Sequence, residues 1–141
     1  MGKGRVMGID FGVKHIGVAL SDELWITASG FETVNWNGVD DAWALDRINT
    51  IIKEKNVSTI ILGKPTRLDG GESETEKKAI VFGNKLEEMC GIKIQMKDER
   101  YTTVIAARML HDKNMKAKKQ KKVIDQEAAA IIVREYLESM R

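Results

Sequence analysis

The clearest indication of the fold comes from residues 5–22, RVMGIDFGVKHIGVALSD. An apolar run leads into Asp10, Gly12 follows, and a second apolar run begins near His15. This pattern predicts a β-hairpin whose first strand points its terminal side chain, Asp10, out of the sheet edge. A carboxylate there could hold a metal ion, and Gly12 and Gly17 would let a backbone or a phosphate come close. An aspartate that only caps a turn would give the same local pattern.

The length of the chain separates two enzyme classes that use an Asp-x-Gly hairpin. Nucleases of the ribonuclease H-like superfamily and ATPases of the actin and sugar-kinase type both carry one. Two lobes that close on a nucleotide need far more than 141 residues, whereas this length suits one compact domain, residues 1–141. Hydrophobic residues make up 43% and charged residues 31% of the chain, which excludes the disordered and collagen-like classes.

Apolar segments, cysteine and histidine restrict the location and chemistry of the protein. The N-terminus has no signal-type apolar segment and the apolar runs are short, so we expect a cytoplasmic protein without a membrane segment. Cys90 is the only cysteine, which excludes an intrachain disulfide and a thiolate metal cluster. His15 and His111 stand far apart and in no ligand spacing, so a zinc site is not expected.

Positive charge is concentrated in one run, although the net charge is only +2. Six lysines fall within residues 113–122, among them Lys116, Lys118, Lys119, Lys121 and Lys122. Most such runs are solvated loops. This run lies between two strongly patterned segments, which favours contact with a polyanion and therefore predicts nucleic-acid binding.

Hydrophobic periodicity predicts an α/β protein with a five-stranded mixed sheet flanked by helices. The N-terminal hairpins form its antiparallel part, and crossover helices imply a parallel part. The first helix has Trp43 on its apolar face and the second has Met89. Strands are predicted at 5–10, 15–21, 27–34, 57–63 and 92–97, and helices at 40–56, 73–90, 104–110 and 123–137.

The last predicted helix supplies a second acid, Asp125. On a 3.6-residue period Asp125 shares a stripe with Ala129, Ile132 and Tyr136, the side that must pack on the sheet. A carboxylate there is costly unless a cation or a metal ion accompanies it. Asp125 could equally be the N-cap of a helix that starts at Gln126. This stretch favours neither reading strongly.

Glu99 is the third acid, and it follows a strand with alternating polarity. The carboxyl ends of parallel strands meet at one sheet edge, where α/β proteins place their sites. A solvated charged turn at Asp98-Glu99-Arg100 is the alternative. Three carboxylates from separate elements would repel one another without cations, and such a cluster suits Mg²⁺ or Mn²⁺. Two such ions could support hydrolysis of a phosphodiester.

Four motifs in order resemble the YqgF family, also called RuvX, within the ribonuclease H-like superfamily. They are GIDFG (8–12) with GVALSD (17–22), ILGKP (61–65) followed by DG (69–70), DERYTT (98–103), and KKVID (121–125) with AAA (128–130). The resemblance implies that Asp10, Glu99 and Asp125 form the catalytic, metal-binding set. It also implies processing of the precursor of small-subunit ribosomal RNA, or cleavage of four-way DNA junctions. Lys64 departs from the family pattern, which more often has an apolar residue there.

Further residues are candidates for contact with nucleic acid. The loop from Lys64 to Gly71 is glycine-rich and basic, and it includes Arg67. Lys64 could contact a phosphate or be a neutral substitution. Arg100, Thr102 and Thr103 could bind phosphate beside the metals. Helix capping by the threonines and an ion pair of the arginine are the alternatives.

Three functions are compatible with these patterns. A metal-dependent RNA nuclease is the first. A junction-resolving DNA nuclease is the second, and it would need two active sites and hence a homodimer, whereas a monomer suffices for the first. A non-catalytic nucleic-acid-binding module is the third, and it would not need the three acids. Aromatic residues make up only 6% of the chain, which argues against a base-stacking platform.

Overall fold

A computed structural model describes residues 4–12, 14–64, 74–98 and 117–140, with the backbone alone for residues 98 and 117–124. The predicted helix at 104–110 lies outside these ranges. In chain order the elements are β1 (Arg5–Asp10), β2 (His15–Ser21), β3 (Ala28–Asn35), α1 (Ala42–Glu54), β4 (Val57–Lys64), α2 (Glu74–Cys90), β5 (Ile94–Asp98) and α3 (Ala117–Ser139).

The five strands form one mixed sheet in the order β3-β2-β1-β4-β5. The β1–β2 and β2–β3 pairs are antiparallel, and the β1–β4 and β4–β5 pairs are parallel. This confirms the predicted architecture, including the antiparallel hairpins and the parallel crossovers. The carboxyl ends of β1, β4 and β5 therefore lie at one edge of the sheet.

Each face of the sheet packs on helices. Residues of odd number in β1, such as Met7 and Ile9, pack with α1 and α2 in the larger core cluster. Val6 packs on the other face, with the Ala129–Ala130 and Ile132–Val133 region of α3. Since side chains alternate along a strand, the even positions Val6, Gly8 and Asp10 share the α3 face.

Helix α3 begins at Ala117, six residues before the predicted start. The alternative that Asp125 is the N-cap of this helix is therefore wrong, because Asp125 lies inside the helix. Lys118, Lys119, Lys121 and Lys122 are also helical, so the loop alternative is wrong for this part of the lysine run. The prediction failed because apolar periodicity starts only at Val123, while lysine is itself a good helix former.

Other differences are small and have local causes. Trp43 is 62% exposed and Met89 is 44% exposed, so both are wrongly predicted as core residues. Trp43 precedes buried Ala44 by one residue, about 100° around the helix. Strand β5 starts at Ile94 because residues 91–93 turn the chain after α2, with Gly91 at φ 74°. In the described part of the chain, no helix has the length and apolar character needed to cross a membrane.

Candidate active site

Asp10 ends β1 at the carboxyl edge of the sheet. Its partner in β2 is Gly17 and its partner in β4 is Gly63. Neither neighbour has a side chain, so no side chain of an adjacent strand separates α3 from the sheet beside Asp10. The residue is nevertheless only 5% exposed, and it does not project out of the sheet edge as predicted, because α3 covers this face.

Three glycines on adjacent strands let α3 approach the sheet closely. A methyl group at Gly8 would lie 2.5 Å from the carbonyl oxygen of Ala129, and one at Gly30 would lie 2.8 Å from Cβ of Gln126. At Gly17 it would overlap the carbonyl group of Asp125. These contacts exclude any larger residue without movement of the helix.

The contact at Gly17 brings Asp125 to the same face as Asp10. A methyl group on Gly17 would lie 3.0 Å from Cβ of Asp125, and Gly17 is the register partner of Asp10. Asp125 is half-buried and its Oδ2 atom is buried. The predicted stripe is confirmed for Ala129 and Ile132, which are fully buried. Asp125 of α3 therefore lies next to the register partner of Asp10, on the same face of the sheet.

Polar contacts hold α3 in this position at both sides of the sheet. The amide of Gln126, next to Asp125, donates from Nε2 to Oγ1 of Thr33 on β3 at 3.0 Å. On the far edge, Lys97 of β5 forms an ion pair with Glu135 of α3. Burial lowers the pKa of the Lys97 ammonium. These contacts fix the helix that carries Asp125 against the strands that flank Asp10.

The other predicted residues are distributed differently. Lys64 ends β4 and has the strand parity of Ile60 and Leu62, which pack on the α1/α2 face, whereas Asp10 has the parity of the α3 face. The lysines of residues 118–122 precede Asp125 on α3, beyond the sheet edge. Outside the described residues lie Glu99, Arg67, Arg100, Thr102, Thr103 and Lys116.

Two parts of the site were missed by sequence reasoning. Gly8 and Gly30 could have been noticed as glycines inside strands, a signal of close backbone approach. The Lys97–Glu135 pair has no sequence signal, because the residues are 38 positions apart. Among the described residues, no group of three or more histidines, cysteines and acids is placed to hold a metal ion. Asp10 and Asp125 alone are thus an incomplete ligand set.

Sequence comparison identifies the family of this chain. The sequence model of the RuvX family, described as Holliday junction resolvase, matches residues 4–139. This chain belongs to the RuvX family. A protein of Geobacillus kaustophilus named "Putative pre-16S rRNA nuclease" is 39% identical over 137 residues, covering 97% of this chain and 99% of that protein. A Bacillus subtilis protein of the same name is 37% identical over 136 residues, covering 96% and 99%.

Solved structures show that the fold is ribonuclease H-like. Thermus thermophilus RuvC in complex with a Holliday junction superposes with a TM-score of 0.65 at 13% identity, covering 97% of this chain and 95% of that chain. The fowlpox virus resolvase in complex with Holliday junction DNA gives a TM-score of 0.56 at 15% identity, covering 96% and 98%. At this identity the likeness concerns the fold alone.

Proposed function

We propose that this RuvX family member is a metal-dependent nuclease that hydrolyses phosphodiester bonds in the precursor of 16S ribosomal RNA. The names of its relatives support the substrate. The observation that supports the chemistry is the position of Asp125 against Gly17, the register partner of Asp10, on the same face of the sheet as Asp10. We further propose that residues 1–141 form one domain and that the protein acts in the cytoplasm.

The residues at this edge fit a hard divalent cation. Carboxylate oxygens are the donors that Mg²⁺ and Mn²⁺ prefer. Gly63, the β4 partner of Asp10, places no side chain beside it. A cation would also offset the repulsion between two largely buried carboxylates. We assign Asp10 and Asp125 as ligands and leave the choice between Mg²⁺ and Mn²⁺ to experiment.

We propose Glu99 as the third ligand. It follows β5 directly in the sequence, and β5 runs parallel to β4 and β1, so the carboxyl end of β5 lies at the same edge as Asp10. A carboxylate from a third element would complete the ligand set that Asp10 and Asp125 begin.

The remaining roles follow from charge and position. A bound divalent ion would stabilise the negative charge that develops on the phosphoryl oxygens during hydrolysis. Asp10, between two glycines, would hold the centre of the site, and Asp125 and Glu99 would each complete one side. The lysines of α3 would bind the phosphate backbone near the site, with Lys64, Arg67, Arg100, Thr102 and Thr103 as further candidate contacts.

Cleavage of four-way DNA junctions is the second candidate, since the family description names a Holliday junction resolvase. That activity would require two sites and therefore a homodimer, whereas a monomer is sufficient for cutting RNA. A binding module without catalysis would not need buried carboxylates at the sheet edge. We therefore rank it third.

The test presents purified protein and Mn²⁺ with two labelled substrates, a pre-16S RNA fragment that spans the mature 5′ end and a four-way DNA junction. We expect cleavage of the RNA and an intact junction. Asp10→Asn, prepared in the same way, should cut neither substrate, which excludes a contaminating nuclease. Paired cuts in the junction with intact RNA would favour the resolvase, and binding without any cleavage would favour the module.

A further inference from the structure

A groove of about 210 Å³ lies on the α1/α2 face, away from α3. One wall is formed by the segment after β3, including Trp36 and Val39, and the other by Lys77, Val81 and Lys85 of α2. Val39 is 87% exposed and Val81 is 49% exposed. The floor and walls are thus partly apolar, with ammonium groups at the rim.

The lysines of the groove are arranged in one row. Lys77, Val81 and Lys85 are spaced four residues apart, so they share one stripe of α2, and the two ammonium-bearing residues stand about 12 Å apart along the helix axis. Lys78 donates from Nζ to the carbonyl oxygen of Gly38 at 2.9 Å and so holds the two walls together. Lys85 lies 3.1 Å from Asp41, the only carboxylate among the lining residues. Glu74, one turn before Lys77 on α2, lies 3.7 Å from the Lys77 ammonium. Three lysines against these two acids leave the groove with an excess of one positive charge.

The groove opens at the same end of the sheet as Asp10. Trp36 donates from Nε1 to the carbonyl oxygen of Gly12 at 2.7 Å. Its ring also contacts Phe11, the residue after Asp10, edge to face at 5.5 Å between centroids. One wall of the groove is therefore attached to the turn that follows Asp10. The lysines of α3 lie at this end too, on the opposite face.

We propose that the groove binds the phosphate backbone of the substrate strand on the side of the cut opposite to the α3 lysines. This inference rests on the proposed nuclease function. Lys77 and Lys85 would contact phosphates, and Val39 and Val81 would contact the apolar faces of the sugars or bases. An acidic protein segment would match the charge as well, but the connection through Trp36 to the Asp10 turn favours the substrate.

The test compares the salt dependence of RNA binding in the full-length protein. The probe is a fluorescein-labelled single-stranded RNA of about 16 nucleotides, the upper range of a strand-binding site. Anisotropy is measured with EDTA at several salt concentrations, so that binding is observed without cleavage. Lys77→Gln/Lys85→Gln removes two exposed charges from the groove. The matched control, Lys53→Gln/Lys93→Gln, removes two exposed charges from the opposite end of the sheet.

We expect the groove variant to lower the slope of log affinity against log salt by about 1.4, since each single-strand phosphate contact contributes about 0.7. The control should leave the slope unchanged. The proposal would be overturned if the groove variant had the same slope as the parent. It would also be overturned if the groove variant and the control lowered the slope by the same amount. Loss of binding to poly-glutamate in the groove variant alone, with unchanged RNA binding, would assign the groove to an acidic protein partner instead.

Cleavage of the pre-16S RNA fragment by the parent with Mn²⁺ separates this inference from the proposed function. A lowered slope in the groove variant without cleavage by the parent would support the groove and contradict the nuclease. Cleavage by the parent with an unchanged slope would contradict the groove alone. No RNA binding by the parent would overturn both.

Discussion

Asp10 lies between two glycines on the neighbouring strands. Its two register partners are glycines, and the backbone of Asp125 occupies the space that a side chain at Gly17 would need. The close approach of α3 therefore covers Asp10 and brings Asp125 to the same face of the sheet. This arrangement depends on Gly17, because any side chain at that position would push the helix away.

The neighbouring acids Asp98 and Glu99 give a prediction for the third metal ligand. Glu99→Gln should lower hydrolysis by roughly a thousandfold, since loss of a metal ligand removes several kcal/mol of transition-state stabilisation. Asp98→Asn should retain activity within about tenfold of the parent, because Asp98 is not one of the proposed ligands. Initial rates on the RNA fragment measure both. The reverse order would move the third ligand to Asp98.

Gly17→Ala should separate the two carboxylates. The new methyl group would overlap the carbonyl group of Asp125, so α3 must move, and we expect the free energy of unfolding to fall by about 2–3 kcal/mol. Mn²⁺ affinity should fall with it. Gly91→Ala is the control, since nothing lies within 4 Å of that position and its φ of 74° should cost only about 1 kcal/mol. Equal thermal stability and Mn²⁺ affinity in both variants would refute the close approach.

The observed ends of all five strands and of α1 and α2 agree with the sequence predictions to within two residues. Strand patterns are local, so β1, β2 and β4 could be predicted from alternation and flanking glycines. The start of α3 could not be predicted, because five of its first six residues are lysine or glutamine and carry no apolar periodicity. The position of Asp125 against Gly17 also could not be predicted, since it depends on a contact between residues 108 positions apart.

The ion pair that connects β3 to α1 predicts a pH dependence of stability. Arg47 donates to both carboxylate oxygens of Glu32, at 2.8 and 2.5 Å, and this hydrogen bonding lowers the pKa of Glu32 below its ordinary value of 4.5. Because the pKa of Glu32 is lower in the folded protein than in the unfolded chain, its ionised form stabilises the fold above about pH 4.5. This contribution is lost as the pH falls through the pKa of Glu32 in the folded protein.

Glu32→Gln should therefore destabilise the protein by up to about 1 kcal/mol at pH 7, a modest value because both side chains are partly exposed. The difference from the parent should shrink as the pH falls below 4.5. Urea unfolding at a series of pH values measures it, with the exposed Glu88→Gln as control. A difference that stays constant down to the lowest pH would mean that the pair contributes nothing through charge.

The first turns of α3 make a separate prediction for binding. Replacing Lys118, Lys119, Lys121 and Lys122 by glutamine should lower the salt slope for single-stranded RNA by about 2.8, at about 0.7 for each lost contact. The variant Lys53→Gln/Lys93→Gln is again the control, since it shows how much the slope changes when positive charge is removed elsewhere on the protein. A slope that matches the parent would show that these lysines are solvated and that the substrate lies elsewhere.

At the scale of the whole molecule, positive charge lies on both sides of one sheet edge. The α3 lysines extend past the edge on one face, and the groove at Lys77 and Lys85 lies on the other, with Asp10 between them. A strand that crosses the edge would contact both basic surfaces and present its backbone to the carboxylates. A variant that lacks the lysines of both surfaces should therefore lower the salt slope by the sum of the two separate reductions, because the sites are far apart.

The proposed hydrolysis depends on a divalent ion held by Asp10 and its neighbours. Titration of Mn²⁺ followed by electron paramagnetic resonance counts bound ions directly and does not depend on knowing the substrate. We expect the parent to bind Mn²⁺ and Asp10→Asn to lose at least about 100-fold in affinity, since even outer-shell changes cost 10–100-fold. The exposed Asp46→Asn should bind like the parent. Equal Mn²⁺ affinity in the parent and Asp10→Asn would show that Asp10 does not hold the ion.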